Sequence, residues 1–160
     1  MWNFKIEDVR LRRYEPADLP EIVELFRETV YAANAADYGK AQLDAWAGGD
    51  IDLSGWNESL KEHASFVALC GGRIVGFGDM TLQGYLDRLY VAKDCLRRGV
   101  GSLLCGRLEA SVCAERFYTH SSITARPFFE KRNYKLVKIR KFERRGAAFV
   151  NCLMEKRPFI

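Results

Sequence analysis

Leu89-Tyr90-Val91-Ala92-Lys93-Asp94-Cys95-Leu96-Arg97-Arg98-Gly99-Val100-Gly101-Ser102 passes from an apolar, strand-like segment through a polar loop into a glycine pair. Val100, Leu103, Leu104, Leu108 and Val112 follow at the spacing of one buried helical stripe. A strand that feeds a helix through glycines is suited to anions: the first helical amides lack partners, the helix dipole adds partial positive charge, and glycine lets the backbone approach a phosphate. Arg97 and Arg98 are expected to add formal charge. Two phosphate-loop patterns fail here. Gly101 and Gly106 have P-loop spacing, but Arg107 and Leu108 stand where lysine and a hydroxyl belong, and Leu104 occupies the third glycine position of a dinucleotide fingerprint.

Upstream, Val9-Arg10-Leu11-Arg12 alternates as a first strand, and Glu15-Pro16-Ala17-Asp18 breaks it. Asp18 is expected to cap a helix carrying Ile22, Val23, Leu25, Phe26 and Val30 through about Ala36. Gly39 to His63 reads as two short helices and a loop. Phe66 to Leu69 and Ile74 to Phe77 form a hairpin about Gly71-Gly72, and Leu86 to Val91 is the next strand. Downstream, Phe117 to Ser121 reads as a strand, Arg126 to Arg132 as a short helix with Pro127 in its first turn, and Tyr134 to Arg144 with Ala147 to Glu155 as a closing pair. Sequential strands outnumber strand-helix-strand units. The fold expected is α/β, or α+β by some labels: a mixed, mostly antiparallel sheet flanked by helices.

The 160 residues are 48% apolar and 29% charged, the composition of one folded domain spanning 1–160. No stretch approaches the ~20 apolar residues of a membrane span, and Met1-Trp2-Asn3-Phe4-Lys5 lacks signal-peptide character, so a cytoplasmic protein without membrane association is expected. Five cysteines without a Cys-x-x-Cys pair, and only His63 and His120, argue against a disulfide framework or a metal site. Basic residues gather at Arg10 to Arg13 and at Lys138, Arg140, Lys141, Arg144 and Arg145 within a net charge of +4. The alternation of Lys138 to Phe142 fits a strand with one solvated face, which makes nucleic acid the weaker partner and leaves a multiply phosphorylated small molecule open.

Taken together, Gly99 and Gly101 after the Asp87 to Val91 strand, with Ser122-Ile123-Thr124-Ala125-Arg126-Pro127-Phe128-Phe129-Glu130-Lys131-Arg132-Asn133-Tyr134 downstream, resemble the GNAT superfamily of N-acetyltransferases. That family's pyrophosphate loop reads Gln/Arg-x-x-Gly-x-Gly/Ala, and the phrase Ile123 to Glu130 is similar to a small bacterial subgroup. The resemblance implies a bulged fourth strand. It also implies acetyl-CoA as co-substrate, with backbone groups of Leu89, Tyr90 and Val91 along the pantetheine arm and Leu96, Arg97, Arg98, Gly99, Val100, Gly101 and Ser102 around the pyrophosphate. The same resemblance makes Phe128 a further expected cofactor contact. A primary amine, on a small molecule or a protein, would attack directly in a ternary complex.

Asp87 is the candidate base that frees the amine lone pair, and Ser122 matches a polar position that contacts the cofactor in relatives. The family pattern is broken at three places: Leu96 replaces Gln or Arg, Phe129 replaces a proton-donating tyrosine, and Asn133-Tyr134 replaces Gly-Phe. Ser122, Tyr118, His120 and Tyr134 are the remaining candidates to protonate the thiolate, and water is another. Tyr31, Tyr38, Trp46 and Trp56 lie where the acceptor site is expected, although such aromatics more often pack. A homodimer stays open. So do a non-catalytic acyl-CoA sensor, a basic nucleic-acid-binding domain and, most weakly, a redox role for the thiols.

Overall fold

The computed structural model describes residues 3–158, so the Met1-Trp2 start and the last two residues of the expected domain lie outside the described residues. The chain runs β1 (Arg10–Arg13), α1 (Leu19–Ala33), α2 (Lys40–Leu43), α3 (Leu53–Glu62), β2 (Ala64–Cys70), β3 (Arg73–Met80), β4 (Tyr85–Val91), α4 (Val100–Ser111), β5 (Phe117–Ser121), α5 (Arg126–Lys131), β6 (Lys135–Arg144) and β7 (Ala147–Lys156). Seven strands form one sheet in the order β1-β2-β3-β4-β5-β7-β6. Every neighbouring pair is antiparallel except β4 with β5. The mixed, mostly antiparallel sheet with flanking helices is therefore present.

Alternation along β3 assigns the two faces. A Cβ on Gly76 would sit 2.9 Å from Leu104 and 3.0 Å from Val100, and one on Gly78 would sit 3.0 Å from Leu108, so α4 lies against these bare positions. Phe77, of opposite parity, stacks on Tyr90 at 5.7 Å and meets Trp56 of α3 at 6.2 Å, while Tyr90 abuts Phe26 of α1 at 4.9 Å. Thus α4 covers one face and α1 and α3 the other. Ile22, Val30, Val67, Val75, Leu104 and Leu108 are buried between these layers. Among the described residues no helix is long and apolar enough to cross a membrane.

Three local expectations are corrected. Asp18 does not cap α1; its carboxylate accepts the Glu15 amide at 2.9 Å and both Arg12 guanidinium nitrogens at 2.8 and 2.9 Å, closing the turn before the helix. Leu103 is 38% exposed and Cys105 takes its place in the core. At about 100° per residue, positions 103 and 105 lie equally far on either side of the arc centred by Val100, Leu104 and Leu108, so the seating of α4 on the sheet, not periodicity, decides which of the two is buried. β6 does not bury one face along its length. It is the outer edge of the sheet, where Leu136, Val137 and Ile139 are exposed together with Lys135, Lys138, Lys141 and Arg144. The two short helices expected between Gly39 and His63 are present, the first widening into a π-helical turn at Asp44–Gly48.

Candidate active site

The site begins where β4 and β5 part. Their parallel ladder consists of Tyr85 with Tyr118 and Leu86 with Thr119, and then stops. Side chains hold two β4 carbonyls that face the resulting gap: the Thr119 hydroxyl donates to Leu86 O at 2.9 Å, and the Thr29 hydroxyl donates to Val91 O at 2.8 Å. Between these points β4 is bonded on its β3 side alone. The Ala92 amide donates to Val75 O at 2.8 Å, and antiparallel alternation then turns Tyr90 and Arg88 backbone groups toward β3 and those of Leu89 and Val91 toward the gap. Leu89 N–H and C=O and Val91 N–H are thus the groups offered to an extended ligand. Tyr90 differs from the expectation: its backbone faces β3, and its ring is packed, burial pushing its hydroxyl up to about 12.

A bulge lies at the mouth of the gap. Asp79 pairs with Arg88 and Met80 with Leu86, so Asp87 is an extra residue in β4. Such a residue leaves its backbone unpaired and turns its side chain beside its neighbour's. The bulge implied by the family resemblance falls at the residue singled out as the base.

At the other end, Arg97 (φ 60) and Gly99 (φ 97) both adopt the left-handed region, and α4 begins immediately afterwards. The first intrahelical bond of α4 runs from Leu103 N–H to Gly99 O at 3.0 Å, and no side chain caps the helix. The amides of Val100, Gly101 and Ser102 therefore point out of the helix end. A Cβ on Gly101 would lie 3.3 Å from the Phe128 ring and 3.7 Å from Val91, so glycine is what lets α5 close against this turn. Asp94 is fixed to Arg73 of β3 by two bonds of 2.7 and 2.8 Å, which anchors the loop; the guanidinium holds the Asp94 carboxyl down to about 2. Leu96 is exposed beside this turn, and the Arg97 side chain is exposed as well. Arg98 departs from the expectation. Its guanidinium bonds Phe4 O at 3.0 Å and Asn3 at 3.2 Å and lies over the Phe4 ring, directing its charge into the N-terminal segment. An open gap, an uncapped helix end with left-handed residues before it, and a bare Gly101 fit an extended ligand bearing phosphate at one end.

Asp87 belongs to a charged cluster. Its carboxylate lies 3.5 Å from the Arg88 guanidinium, and burial, then the nearby Asp79, raises its pKa above the ordinary carboxylate value. Asp79 is fully buried; its Oδ2 accepts from Arg88 at 2.8 Å and contacts His63 Nδ1 at 2.7 Å, while Oδ1 has no hydrogen-bond partner. One nitrogen or oxygen atom each from His63, Asp79 and Asp87 lie within 4.8 Å of one another. Arg88 already brings positive charge to that group, and it is stacked 4.6 Å over Trp56 and bonded to Ser59 at 2.9 Å.

The hydroxyl and imidazole candidates separate clearly. Ser122, just past β5, accepts the Ala125 amide at 3.0 Å on its oxygen, which leaves its own proton uncommitted. Tyr134 is buried on the α4 side and donates to Glu109 at 2.8 Å; burial and that carboxylate raise its pKa, so it is removed as a proton source. His120 lies 3.1 Å from the Tyr85 hydroxyl, with its pKa lowered by burial and by Arg140 and Lys138. Phe129 is 4% exposed and meets Phe128 and Tyr134 edge-on at 5.1 Å each, a core position without a polar group. Asn133, at φ 71, fills the left-handed turn where glycine was the family residue, a conformation asparagine tolerates. Trp46, Trp56 and Tyr38 are largely packing residues, Tyr38 accepting the Ile123 amide at 2.9 Å, and Tyr31 is exposed and donates to Asp44 at 2.6 Å.

His63, Asp79, Arg88 and Thr29 were not singled out from sequence. Asp79 carried a signal: it continues the Val75, Phe77 face of an apolar strand, where an aspartate must find a buried partner.

The model of the acetyltransferase (GNAT) domain matches residues 34–157. The chain belongs to the GNAT family of N-acetyltransferases. An uncharacterized N-acetyltransferase of Escherichia coli (strain K12), YafP, is 34% identical over 153 residues, covering 96% of this chain and 99% of that protein. A GCN5-related N-acetyltransferase structure from Rhodopseudomonas palustris, also described as a class-II aminotransferase, has a TM-score of 0.90 at 27% identity and covers 98% of this chain and 100% of its own. PaiA N-acetyltransferase of Thermoplasma acidophilum, solved with coenzyme A, shares the fold, with a TM-score of 0.75 at 15% identity over 94% of this chain and 99% of that one.

Proposed function

We propose that this chain, as one catalytic domain of the small bacterial subgroup named above, transfers an acetyl group from acetyl-CoA to a primary amine within a ternary complex. The observation that carries this reading is the gap after Leu86, which ends at the uncapped N-terminus of α4. Acetyl-CoA would supply an activated thioester. Along its arm, Leu89 and Val91 present backbone donors and an acceptor at strand spacing, and the amides of Val100 to Ser102 receive the pyrophosphate with the dipole of α4 behind them. Phe128 forms the wall beside Gly101. The unpaired backbone of the Asp87 bulge supplies a donor toward the thioester carbonyl, and an oriented donor of this kind lowers a barrier by ~3 to 4 kcal/mol in well-studied hydrolases.

The acceptor approaches from the α1 and α3 face. Asp87 takes the ammonium proton, which leaves the lone pair on nitrogen for attack, and Ser122 offers its free proton toward the leaving sulfur. Water serves the same end, because a free thiol of pKa about 8.5 is only a moderately basic leaving group. Cys95 and Cys105 do not enter: burial pushes both up to about 11, away from a reactive thiolate.

Calorimetric titration with acetyl-CoA, wild type against Ser102→Glu, tests the reading. Ser102 is exposed in the first turn of α4, where glutamate suits the helix dipole while its charge opposes phosphate. The variant should melt no lower than wild type and bind at least ~10-fold more weakly, a difference of about 1.4 kcal/mol. A folded wild type that binds no acetyl-CoA would end the proposal.

A further inference from the structure

His63 stands at the C-terminal end of α3, opposite the bulge of β4, and its side chain is 19% exposed. Its Nδ1 lies 2.7 Å from Oδ2 of the fully buried Asp79, which also accepts from Arg88. That contact fixes the ring and assigns the Nδ1 proton to Asp79, leaving Nε2 as the basic nitrogen. The charged groups facing the imidazole are Asp79 from β3 and Asp87 and Arg88 from β4; the adjoining turn of α3 brings the Ser59 hydroxyl to Arg88. A ring nitrogen, an Asp79 oxygen and an Asp87 oxygen all lie within 4.8 Å, a span closed by direct contact or by one water.

We propose that His63, oriented by Asp79, is the proton-relay residue behind Asp87. The proposal rests on the acyl-transfer reading above. The N–H bond of the acceptor ammonium breaks, its electron pair stays on nitrogen, and the proton lands on the Asp87 carboxylate. It then passes through a bridging water to Nε2 of His63, giving an imidazolium paired with Asp79, and the same nitrogen afterwards releases it to solvent. Asp87 is thereby returned to its basic form before the next amine arrives. Arg88 matches the fixed negative charge of Asp79, so the mobile proton is the only charge that changes in the cluster. The Asp79 hydrogen bond, the largest influence on His63, raises its pKa above 6.5, as a proton-receiving imidazole requires.

Only two histidines are present, so two imidazole resonances report the titration. His63 should titrate above 6.5 and His120 below it, with His63→Gln assigning the signals. In Asp87→Asn the His63 midpoint should fall by about half a unit or more, because a facing negative charge has gone. Glutamine at 63 keeps a donor for Asp79 but cannot titrate. His63→Gln should lower kcat about 10-fold or more, leave the KM for acetyl-CoA within about twofold and erase the pH limb assigned to His63. An unmoved His63 midpoint in Asp87→Asn, or a wild-type pH profile in His63→Gln, overturns the relay. If the wild type acetylates no amine, the acyl-transfer reading fails instead, and the relay has no reaction to serve.

Discussion

Asp87 gains its candidate role from being one residue too many in β4. With Arg88 alone it would be an ordinary surface pair, 3.5 Å apart. The bulge instead turns it into the cluster of Asp79, Arg88 and His63, where burial favours its protonated form and so raises the affinity that a base must have for a proton. General bases typically contribute factors of ~100 or more, so Asp87→Asn should cut kcat at least ~10-fold while acetyl-CoA binding, read by calorimetry, stays at the wild-type value. Turnover within about threefold of wild type would move the base elsewhere. Asp79 behaves differently at the same scale: its Oδ2 is held by both Arg88 and His63, and its removal would take from the Arg88 guanidinium its shortest carboxylate contact.

Among the elements, α4 is the one whose placement decides whether a ligand is gripped. Its N-terminus must meet the end of the gap, and its distance from the sheet is set by the two bare positions on β3. Gly76→Ala would bring a methyl to 2.9 Å from Leu104 and 3.0 Å from Val100 and only 3.2 Å from Tyr90 O, so either α4 lifts or β3 shifts. The expected cost is ~1–3 kcal/mol, measured as a lower midpoint in urea with an unchanged slope. Acetyl-CoA affinity should fall alongside, because Val100, the first residue of the cradle, is among the side chains displaced. An unchanged midpoint would mean that the helix is not seated by these glycines.

For the molecule as a whole, the loop between β4 and α4 is tied back to the sheet by Arg73 and Asp94, and this pair has a definite pH signature. The folded value of Asp94, about 2, is below its ordinary value of 3.8, so its contribution is present above 3.8 and is lost as pH falls through about 2. The two side chains are 41% and 38% exposed, which limits the pair to ~0.2–1 kcal/mol. Arg73→Met should therefore lower thermal stability slightly at pH 6 and leave it equal to wild type near pH 2; an equal deficit at both would show that packing, not charge, was removed. His63 has the opposite sign. Its raised value adds stability below 6.5 that is lost as pH rises through the folded pKa.

Periodicity and glycine placement determined the elements and the anion-ready junction from sequence, because strand alternation, the helical stripe and the need for an open helix end are local properties of a chain. Gly99 and Gly101 pointed to the cradle, and apolar-polar alternation located most strands within a residue or two. Resemblance supplied the family and, with it, Asp87. Only the tertiary structure decided which backbone groups of β4 remain free, since that depends on where β5 departs and on Thr29 and Thr119 reaching in from other elements. It also withdrew the Arg98 charge to Phe4, exposed β6 by making it an edge, and assembled His63, Asp79, Arg88 and Asp87 from three elements. The physical reason is range: hydrogen-bond and charge partners chosen across 16 residues between His63 and Asp79, or 62 between Thr29 and Val91, leave no periodic trace in the sequence.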